Sequence, residues 1–297
     1  MIGLGLDAGG SATRWAIWGD EGRLGGGELI PVTGHLFHDA ERARFAEMAA
    51  ALRCALAGAR VTRVIAGITG LSATAPEAAV AAAALSDATG VPIASVAVED
   101  DIWIAYHAAF APGEGHVVYA GTGSIAVHIR TDRSVVRVGG RGMLIDDGGS
   151  AFWIGREALN AIFRAIDADP AARPPLADAV FTMIGSADWD RVRAYVYGGG
   201  RSAVAQLARA AGAAADAGDP AAIRLMRETG KELARLARVL AAREGPRPVA
   251  LLGRAAGLHP AILESMQRAT APLVVERRTL DAAATAARLA YAHAVHA

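Results

Sequence analysis

The sequence predicts an α/β protein made of two lobes, and three observations lead to this fold class. Glycine-rich turns follow apolar, strand-like runs at two places, 7–13 and 121–124. Short apolar runs alternate with longer helical patterns, which is typical of mostly parallel sheets covered on their faces. Three strand-like runs, then alternating helix and strand, occur once and then begin again. We therefore expect an N-terminal lobe over 1–112 and a C-terminal lobe over 113–297.

The first lobe is expected to open with short strands separated by glycines. Its strands are predicted at 2–6, 14–18, 27–31, 61–68 and 91–98, and its helices at 39–57, at 76–89 and from about 101. Pro76 suits an early helical position, where the N–H that proline lacks would have no partner.

The second lobe is expected to repeat this order with a longer helical part. Its strands are predicted at 117–120, 125–130, 134–138, 249–252 and 273–275, and its helices within 150–243, at 260–269 and from about 281. The long helical region is interrupted by Pro170, by Pro174 and Pro175, and by the run Tyr197-Gly198-Gly199-Gly200. The last helix could pack back on the first lobe.

Composition limits the classes of protein that this chain can belong to. It has 297 residues, of which 53% are hydrophobic and 20% charged, as expected of a globular chain with a large core. With 30 basic and 30 acidic residues and no basic stripe, nucleic acid is not an expected partner. No uncharged apolar run approaches the roughly 18–20 residues that span a bilayer, so no membrane association is expected. The N-terminus lacks a basic region, and the expected compartment is the cytoplasm.

Single residues exclude further classes. Cys54 is the one cysteine, so an internal disulfide or a cysteine-ligated cluster built from this chain alone is impossible. It lies in a helical pattern, and we expect it to be buried. Lys231 is the one lysine and lies in a helical segment, which excludes a P-loop kinase.

The glycine-rich turns are the strongest functional signal. A turn without Cβ atoms exposes main-chain N–H groups that can surround phosphate oxygens. One such turn is weak evidence, because many hairpins turn on glycine. Two of them, each opening one half of a duplicated pattern, favour a nucleotide held between two lobes.

Several segments together resemble the BadF/BadG/BcrA/BcrD-type ATPase family. They are Asp7-Ala8-Gly9-Gly10-Ser11-Ala12-Thr13, Gly121-Thr122-Gly123-Ser124 and the block over 139–159. This family includes the N-acetylglucosamine and glucosamine kinases of the actin–hexokinase–Hsp70 superfamily, and the resemblance covers nearly the whole chain in order. It implies two actin-like, ribonuclease H-like lobes with ATP and a sugar in the cleft between them.

The resemblance implies roles for nucleotide-binding residues. Asp7 would face Mg²⁺, most simply through water, because Mg²⁺ takes few direct protein ligands. The first phosphate loop would comprise Gly9, Gly10, Ser11 and Thr13, and the second Gly121, Thr122, Gly123 and Ser124. The residues near the adenine would be Gly253, Arg254 and Ala255.

The same resemblance implies a catalytic base. Asp101 falls on the carboxylate that accepts the proton of the sugar hydroxyl, at the junction of a strand and a helix. The structural alternative is plain capping of the helix. Asp100 stands beside it, and an exchange of roles between these neighbours remains open.

Sugar-binding residues are implied in both lobes. They are Thr33, Gly34 and His35 in the first lobe, Asp101, and Gly140, Asp146 and Asp147 in the second. Gly34 stands where N-acetylglucosamine kinases typically carry asparagine, and Asp147 where relatives carry Glu. For Asp146 and Asp147 the alternative is an acidic helix start that complements the helix dipole.

The resulting hypothesis is an ATP-dependent kinase that phosphorylates a hydroxyl of an amino sugar, of the N-acetylglucosamine or glucosamine type. The alternative is a non-catalytic ATP-binding or regulatory ATPase of the same fold. An activator of a radical dehydratase is disfavoured, because such proteins hold an iron–sulfur cluster through cysteines. A homodimer would fit the resemblance.

Overall fold

The computed structural model describes residues 1–10, 12–56 and 58–295, with the backbone only for 294 and 295. The chain forms two compact units. One comprises residues 1–108 together with the C-terminal segment from Leu280, and the other comprises residues 109–279.

The N-terminal unit is built on a five-stranded mixed sheet. Its strands are β1 (Gly3–Gly9), β2 (Ala12–Gly19), β3 (Gly22–Leu29), β4 (Arg63–Ile68) and β5 (Val96–Asp100). Its helices are α1 (Asp39–Leu56), α2 (Pro76–Thr89), α3 (Asp101–Ala109) and the last helix of the chain, α9 (Ala282–Val295). The strand order is β3-β2-β1-β4-β5, in which β1, β4 and β5 are parallel and the β1–β2–β3 pairings are antiparallel.

Alternating residues in β1 separate the two faces of this sheet. Leu4 and Leu6 lie in the hydrophobic core that also contains residues of α1. Gly3 and Gly5 point to the opposite face, where a Cβ atom on either would overlap the backbone of α9. Small residues also line this contact on the helix, where Ala283 and Ala287 pack on Ala16 of β2. Because Gly3 and Gly5 have no side chains, α9 can lie directly on this face of the sheet.

The C-terminal unit repeats the same sheet. Its strands are β6 (His116–Ala120), β7 (Ser124–Ile129), β8 (Val135–Gly139), β9 (Val249–Leu252) and β10 (Val275–Arg277). The order β10-β9-β6-β7-β8 matches that of the first unit strand for strand, with the same parallel and antiparallel pairings. Its helices are α4 (Ala151–Ala168), α5 (Pro175–Ile184), α6 (Trp189–Asp216), α7 (Pro220–Glu244) and α8 (Pro260–Thr270).

The predicted glycine interruption of the long helical region is found inside α6. Gly200 has φ 60° and ψ −152°, so the helix stops there and starts again at Arg201. This backbone conformation is one that glycine adopts without a steric cost. Among the described residues, no helix is both long enough and apolar enough to cross a membrane.

The predicted strand at 91–98 coincides with the observed strand only in part. Residues Ile93–Ser95 form a short 3-10 helix, and β5 then runs from Val96 to Asp100. Pro92 lacks an N–H donor and disfavours a regular strand at this point. Because of this shift, Glu99 and Asp100 are the last residues of β5 instead of following the strand.

The expectation that Cys54 is buried was wrong. The cysteine is exposed on α1, while Leu52 and Leu56 of the same helix are buried. The core-facing positions of the helix also include Phe45, Met48 and Ala49, and Cys54 lies on the opposite side.

Candidate functional site

Two adjacent carboxylates mark the junction of β5 and α3. The side chain of Asp100 accepts a hydrogen bond from the N–H of Ile102 at 3.2 Å, which satisfies one of the free donors of the first helical turn. Asp101 begins the helix and directs its carboxylate elsewhere. The capping contact considered for Asp101 is therefore made by its neighbour.

Asp101 bonds to a residue that the sequence analysis did not single out. The hydroxyl of Thr69 donates to Oδ2 of Asp101 at 2.6 Å. Removal of water from the carboxyl group, together with the neighbouring Asp100 and the charge of Asp7, raises the pKa of Asp101 to about 7, although the Thr69 hydrogen bond acts in the opposite direction. The carboxyl group is thus poised to exchange a proton near neutral pH.

The strand order explains why these groups meet. Because β4 is parallel to both β1 and β5, the carboxyl ends of all three strands lie at one edge of the sheet. Thr69 follows β4 and donates its N–H to the carbonyl of Ala8 in β1 at 2.9 Å. A Cβ atom on Gly9 would lie 3.2 Å from the Thr69 hydroxyl oxygen. The Thr-Gly pair directly after β4 was the available sequence signal, but its partners lie far away in the chain.

Asp7 contributes a second negative charge to this edge. It is half-buried and pairs in register with Arg14 of β2. Burial raises the pKa of Asp7, the charge of Arg14 opposes that rise, and the charge of Asp281 adds to it. Because Asp7 and Asp281 repel, and Asp7 also raises the pKa of Asp101, a divalent cation would relieve this charge. The carboxylates therefore fit a hard ion such as Mg²⁺.

The cation would keep most of its water. Within the described ranges, no group of three His, Cys, Asp or Glu side chains is arranged to hold a metal. Mg²⁺ commonly binds through one or two carboxylates, and it completes its shell with waters and substrate phosphates. That Asp7 acts on Mg²⁺ through water stays a prediction.

The first glycine turn is only partly available to a ligand. Gly10 is exposed and Gly9 is half-buried, whereas Ser11 lies outside the described residues. Thr13 is fully buried, and its hydroxyl has no hydrogen-bond partner among the described residues. It pairs with Ala8, on the opposite sheet face from Asp7. No part of Thr13 is exposed, since its main chain also lies between β1 and β3, so its expected phosphate contact stays a prediction.

The predicted loop at 33–35 lies beside Thr69. Gly34 donates its N–H to the carbonyl of Thr69 at 2.9 Å, and a Cβ atom on Gly34 would approach the Cβ of Leu71 to 2.5 Å. This close approach requires glycine and explains why no asparagine stands at this position. The Nε2 atom of exposed His35 would lie 3.3 Å from a Cβ on Gly70. Thr33 donates its hydroxyl to Glu41 at 2.9 Å.

The second glycine turn joins β6 to β7 and is fixed to a helix. Gly121 donates its N–H to the carbonyl of Gly123 at 2.9 Å, which closes the turn. The carbonyls of Gly121 and Thr122 accept from Ala151 and Phe152 in the first turn of α4, at 2.9 and 3.3 Å. These contacts hold the turn at the N-terminus of α4 and use the N–H groups of Ala151 and Phe152, so the helix dipole, but not these two donors, favours an anion there.

The two acidic residues after this turn are engaged within the protein. Asp147 is 6% exposed, accepts the N–H of Ser124 at 3.4 Å, and pairs with Nη2 of Arg201 at 2.8 Å. Asp146 is more open and pairs with Arg235 at 2.9 Å. Burial raises the pKa of Asp147, and Arg201 is the largest opposing influence. Neither arginine was singled out from the sequence, because each lies in a distant helix.

The remaining predicted residues occupy tight backbone positions. Gly253 has φ 93°, and a Cβ atom there would overlap the carbonyl of Ala120 at the end of β6. The following Arg254 is exposed, but Ala255 is 2% exposed and lies in the hydrophobic core, so its side chain cannot face a nucleotide. Gly140 has φ 69° and lies against Ile125.

The repeated sheet and the carboxylates at its edge define a class of protein. The two units of this α/β chain are actin-like, which confirms the predicted fold class. More specifically, the chain belongs to the BadF/BadG/BcrA/BcrD ATPase family, whose model matches residues 4–270. The resemblance stated from the sequence is therefore confirmed.

Solved structures with this fold include sugar kinases. A candidate N-acetylglucosamine kinase from Chromobacterium violaceum is 24% identical, with a TM-score of 0.73 over 97% of this chain and 98% of that one. A second, from Porphyromonas gingivalis, is 19% identical, with a TM-score of 0.77 over 99% of each chain. A ROK family glucokinase from Streptomyces griseus, solved with glucose and AMPPNP, is 16% identical, with a TM-score of 0.61 over 100% of each chain. Among curated proteins, no sequence is significantly similar to this one.

Proposed function

We propose that this protein is an ATP-dependent kinase that phosphorylates a hydroxyl group of an amino sugar. The observation that carries the proposal is the state of Asp101. Its carboxylate is released from helix capping by Asp100, is oriented by Thr69 and has a pKa of about 7. A structural cap has no need of such a pKa, whereas a general base at neutral pH does.

In the proposed reaction, Asp101 accepts the proton of the sugar hydroxyl while the hydroxyl oxygen forms a bond to the γ-phosphorus of ATP. The bond between that phosphorus and the oxygen bridging to the β-phosphate breaks, and ADP leaves with the electron pair. The proton is then released from Asp101 to solvent. Thr69 keeps the carboxylate in one orientation, and its hydrogen bond favours the ionised form that can act as the base.

ATP and Mg²⁺ are the proposed cofactors. Bound Mg²⁺ would neutralise phosphate charge, and Asp7 is the residue proposed to hold it through water. Gly9 and Gly10 of the N-terminal unit, and Gly121, Thr122 and Gly123 of the C-terminal unit, are proposed to contact the phosphates. The attachment of the second turn to the start of α4 supports its part in this assignment.

The amino sugar is proposed from the family and from the structural likeness to the candidate N-acetylglucosamine kinases. In the N-terminal unit, Thr33 and His35 lie in the loop that is hydrogen-bonded to Thr69, which supports a place near the acceptor hydroxyl. Asp146 of the C-terminal unit is proposed as a further contact, since Arg235 occupies only one of its oxygens.

The function is tested by incubating the purified protein with ATP, Mg²⁺ and a panel of sugars. The panel contains N-acetylglucosamine, glucosamine, glucose and N-acetylmannosamine, and both ADP and sugar phosphate are measured. We expect ADP release that depends on an amino sugar and equals the sugar phosphate formed. Binding of ATP without phosphorylation of any sugar would contradict the proposal and favour the non-catalytic regulatory ATPase.

A further inference from the structure

Arg201 occupies an unusual position in the C-terminal unit. Helix α6 breaks at Gly200 and restarts at Arg201, after a run of three glycines. The break directs the Arg201 side chain to the turn between β6 and β7, where a Cβ atom on Gly123 would overlap its guanidinium group. The interruption at Gly200 therefore determines the direction of this side chain.

Asp147 binds the guanidinium group of Arg201, but at least one N–H donor of this group has no hydrogen-bond partner among the described residues. Its Nη2 atom donates to Asp147 at 2.8 Å, and this carboxylate also accepts the N–H of Ser124 in the glycine turn. The Nε atom is out of contact with water and has no hydrogen-bond partner in the part of the chain that the structure describes. The side chain is still 40% exposed, so a ligand at the turn can reach it.

This arrangement suits a phosphate group. Arginine presents five N–H donors in a planar fork that matches phosphate oxygens, and the ion pair with Asp147 uses one side of it. Main-chain N–H groups of a glycine turn supply short-range donors but no full charge. The single lysine, Lys231, pairs with Glu228 on α7, so it does not provide the missing cation at the turn.

We propose that Arg201 binds a phosphate of the nucleotide at the turn over 121–124, and that Asp147 holds its guanidinium group in place. This assignment rests on the proposed binding of ATP to that turn. It gives Asp147 a positioning role toward the nucleotide in addition to the sugar contact expected from the sequence. Arg201 is thus a binding residue for the charged part of ATP.

The test measures binding of ATP, ADP and adenosine by calorimetry with Mg²⁺ and without sugar. Arg201→Gln removes the charge, and Arg201→Lys keeps it but loses the fork. The matched control is Arg235→Gln, because Arg235 makes a similar ion pair with Asp146 at 2.9 Å and is 41% exposed, whereas no hydrogen bond or ion pair of the described residues joins it to the turn over 121–124. We expect ATP affinity to fall about 10- to 100-fold in Arg201→Gln, on the scale of charged hydrogen bonds, and less in Arg201→Lys.

Adenosine separates phosphate binding from simple support of the turn. We expect its affinity to be the same in the wild type and in all three variants, because it carries no phosphate. Equal losses for adenosine and ATP in Arg201→Gln, or unchanged ATP affinity in that variant, would overturn the assignment while leaving the kinase proposal intact. If Arg201→Gln does not fold, the ATP affinity of Arg201→Lys is compared with that of Arg235→Gln. Equal ATP affinities in these two variants would overturn the assignment. A wild-type protein that binds neither ATP nor ADP would overturn the kinase proposal itself.

Discussion

The hydroxyl of Thr69 donates a hydrogen bond of 2.6 Å to the carboxylate of Asp101, although 32 residues separate them in the sequence. The contact joins the ends of two parallel strands, and it stabilises the ionised form of an acid whose surroundings otherwise favour protonation. The proposed chemistry depends on this balance.

The rate of sugar phosphorylation is expected to depend on a group with a pKa of about 7. Asp101 acts as the base only when ionised, so kcat rises as the pH increases through that value. Thr69→Val removes a contact that lowers the pKa, and we expect the midpoint of the kcat profile to move to higher pH. Thr69→Ser, which keeps the hydroxyl, is the control. Identical profiles for all three proteins would contradict the role of Thr69.

The two adjacent acids are expected to respond differently to substitution. Asp100→Ala removes the cap of α3 and should lower the free energy of unfolding by about 0.5–2 kcal/mol. Asp100→Asn retains a capping side chain and should leave stability unchanged. Because Asp100 raises the pKa of Asp101, both variants should shift the midpoint of the kcat profile to lower pH. Urea unfolding and pH–rate profiles measure the two effects separately.

Asp7→Asn is expected to raise the Mg²⁺ concentration required for half-maximal turnover about 10-fold or more, as for changes in residues that act on a metal through water. Asp281→Asn is the matched control, because Asp281 also lies close enough to act on Asp7 but caps α9, which asparagine can do equally well. A titration of turnover with Mg²⁺ at saturating ATP measures the effect. Equal shifts in both variants would show that the general negative charge matters, and not Asp7.

Gly253→Ala is expected to destabilise the C-terminal unit more than an ordinary glycine substitution. Its φ of 93° and the overlap of a Cβ atom with Ala120 should together cost roughly 2–5 kcal/mol. Gly218→Ala is the control, with φ 87° and open space around the Cβ position, and only the backbone strain of about 1–2 kcal/mol should remain. Urea midpoints that are equal for the two variants would contradict the overlap.

Acid is expected to destabilise the protein partly through His116. This residue is fully buried, its Nε2 lies 3.0 Å from the carbonyl of Gly245, and its Nδ1 has no partner among the described residues. Burial, followed by the charges of His128 and Arg247, lowers the pKa of His116 in spite of Gly245 and Glu244. The folded state thus binds the proton less readily than the unfolded state. Stability is complete above the unfolded pKa of about 6.5 and is lost as the pH falls below it.

His116→Gln tests this effect, since glutamine keeps a donor for Gly245 but does not titrate in this range. We expect the urea midpoint of the wild type to fall more between pH 7.5 and 5.5 than that of the variant. Equal pH dependence in the two proteins would exclude His116 as a source of acid sensitivity.

The sequence predicted the fold because its signals are local. Alternation in β1 and the glycine runs fix strands and turns within a few residues. The order of the strands within each sheet was not predicted, because it depends on pairing between segments that lie far apart in the chain. The family resemblance then identified Asp101 and the glycine turns as candidates. Their roles in nucleotide and sugar binding stay predictions.

The parts that the sequence did not reveal depend on tertiary contacts. Thr69 matters because β4 and β5 are neighbours, and Arg201 because a helix break directs it to Asp147, 54 residues away. The division of roles between Asp100 and Asp101 depends on the residue at which α3 begins, which propensity does not fix. The burial of Thr13 follows from which face of β2 it occupies.

The most direct test of the account is the rate of sugar phosphate formation by Asp101→Asn at saturating ATP, Mg²⁺ and sugar. We expect kcat to be at least about 100-fold lower than in the wild type, with ATP affinity unchanged, because only the proton acceptor is lost. A variant that forms sugar phosphate at the wild-type rate would contradict the central role assigned to Asp101.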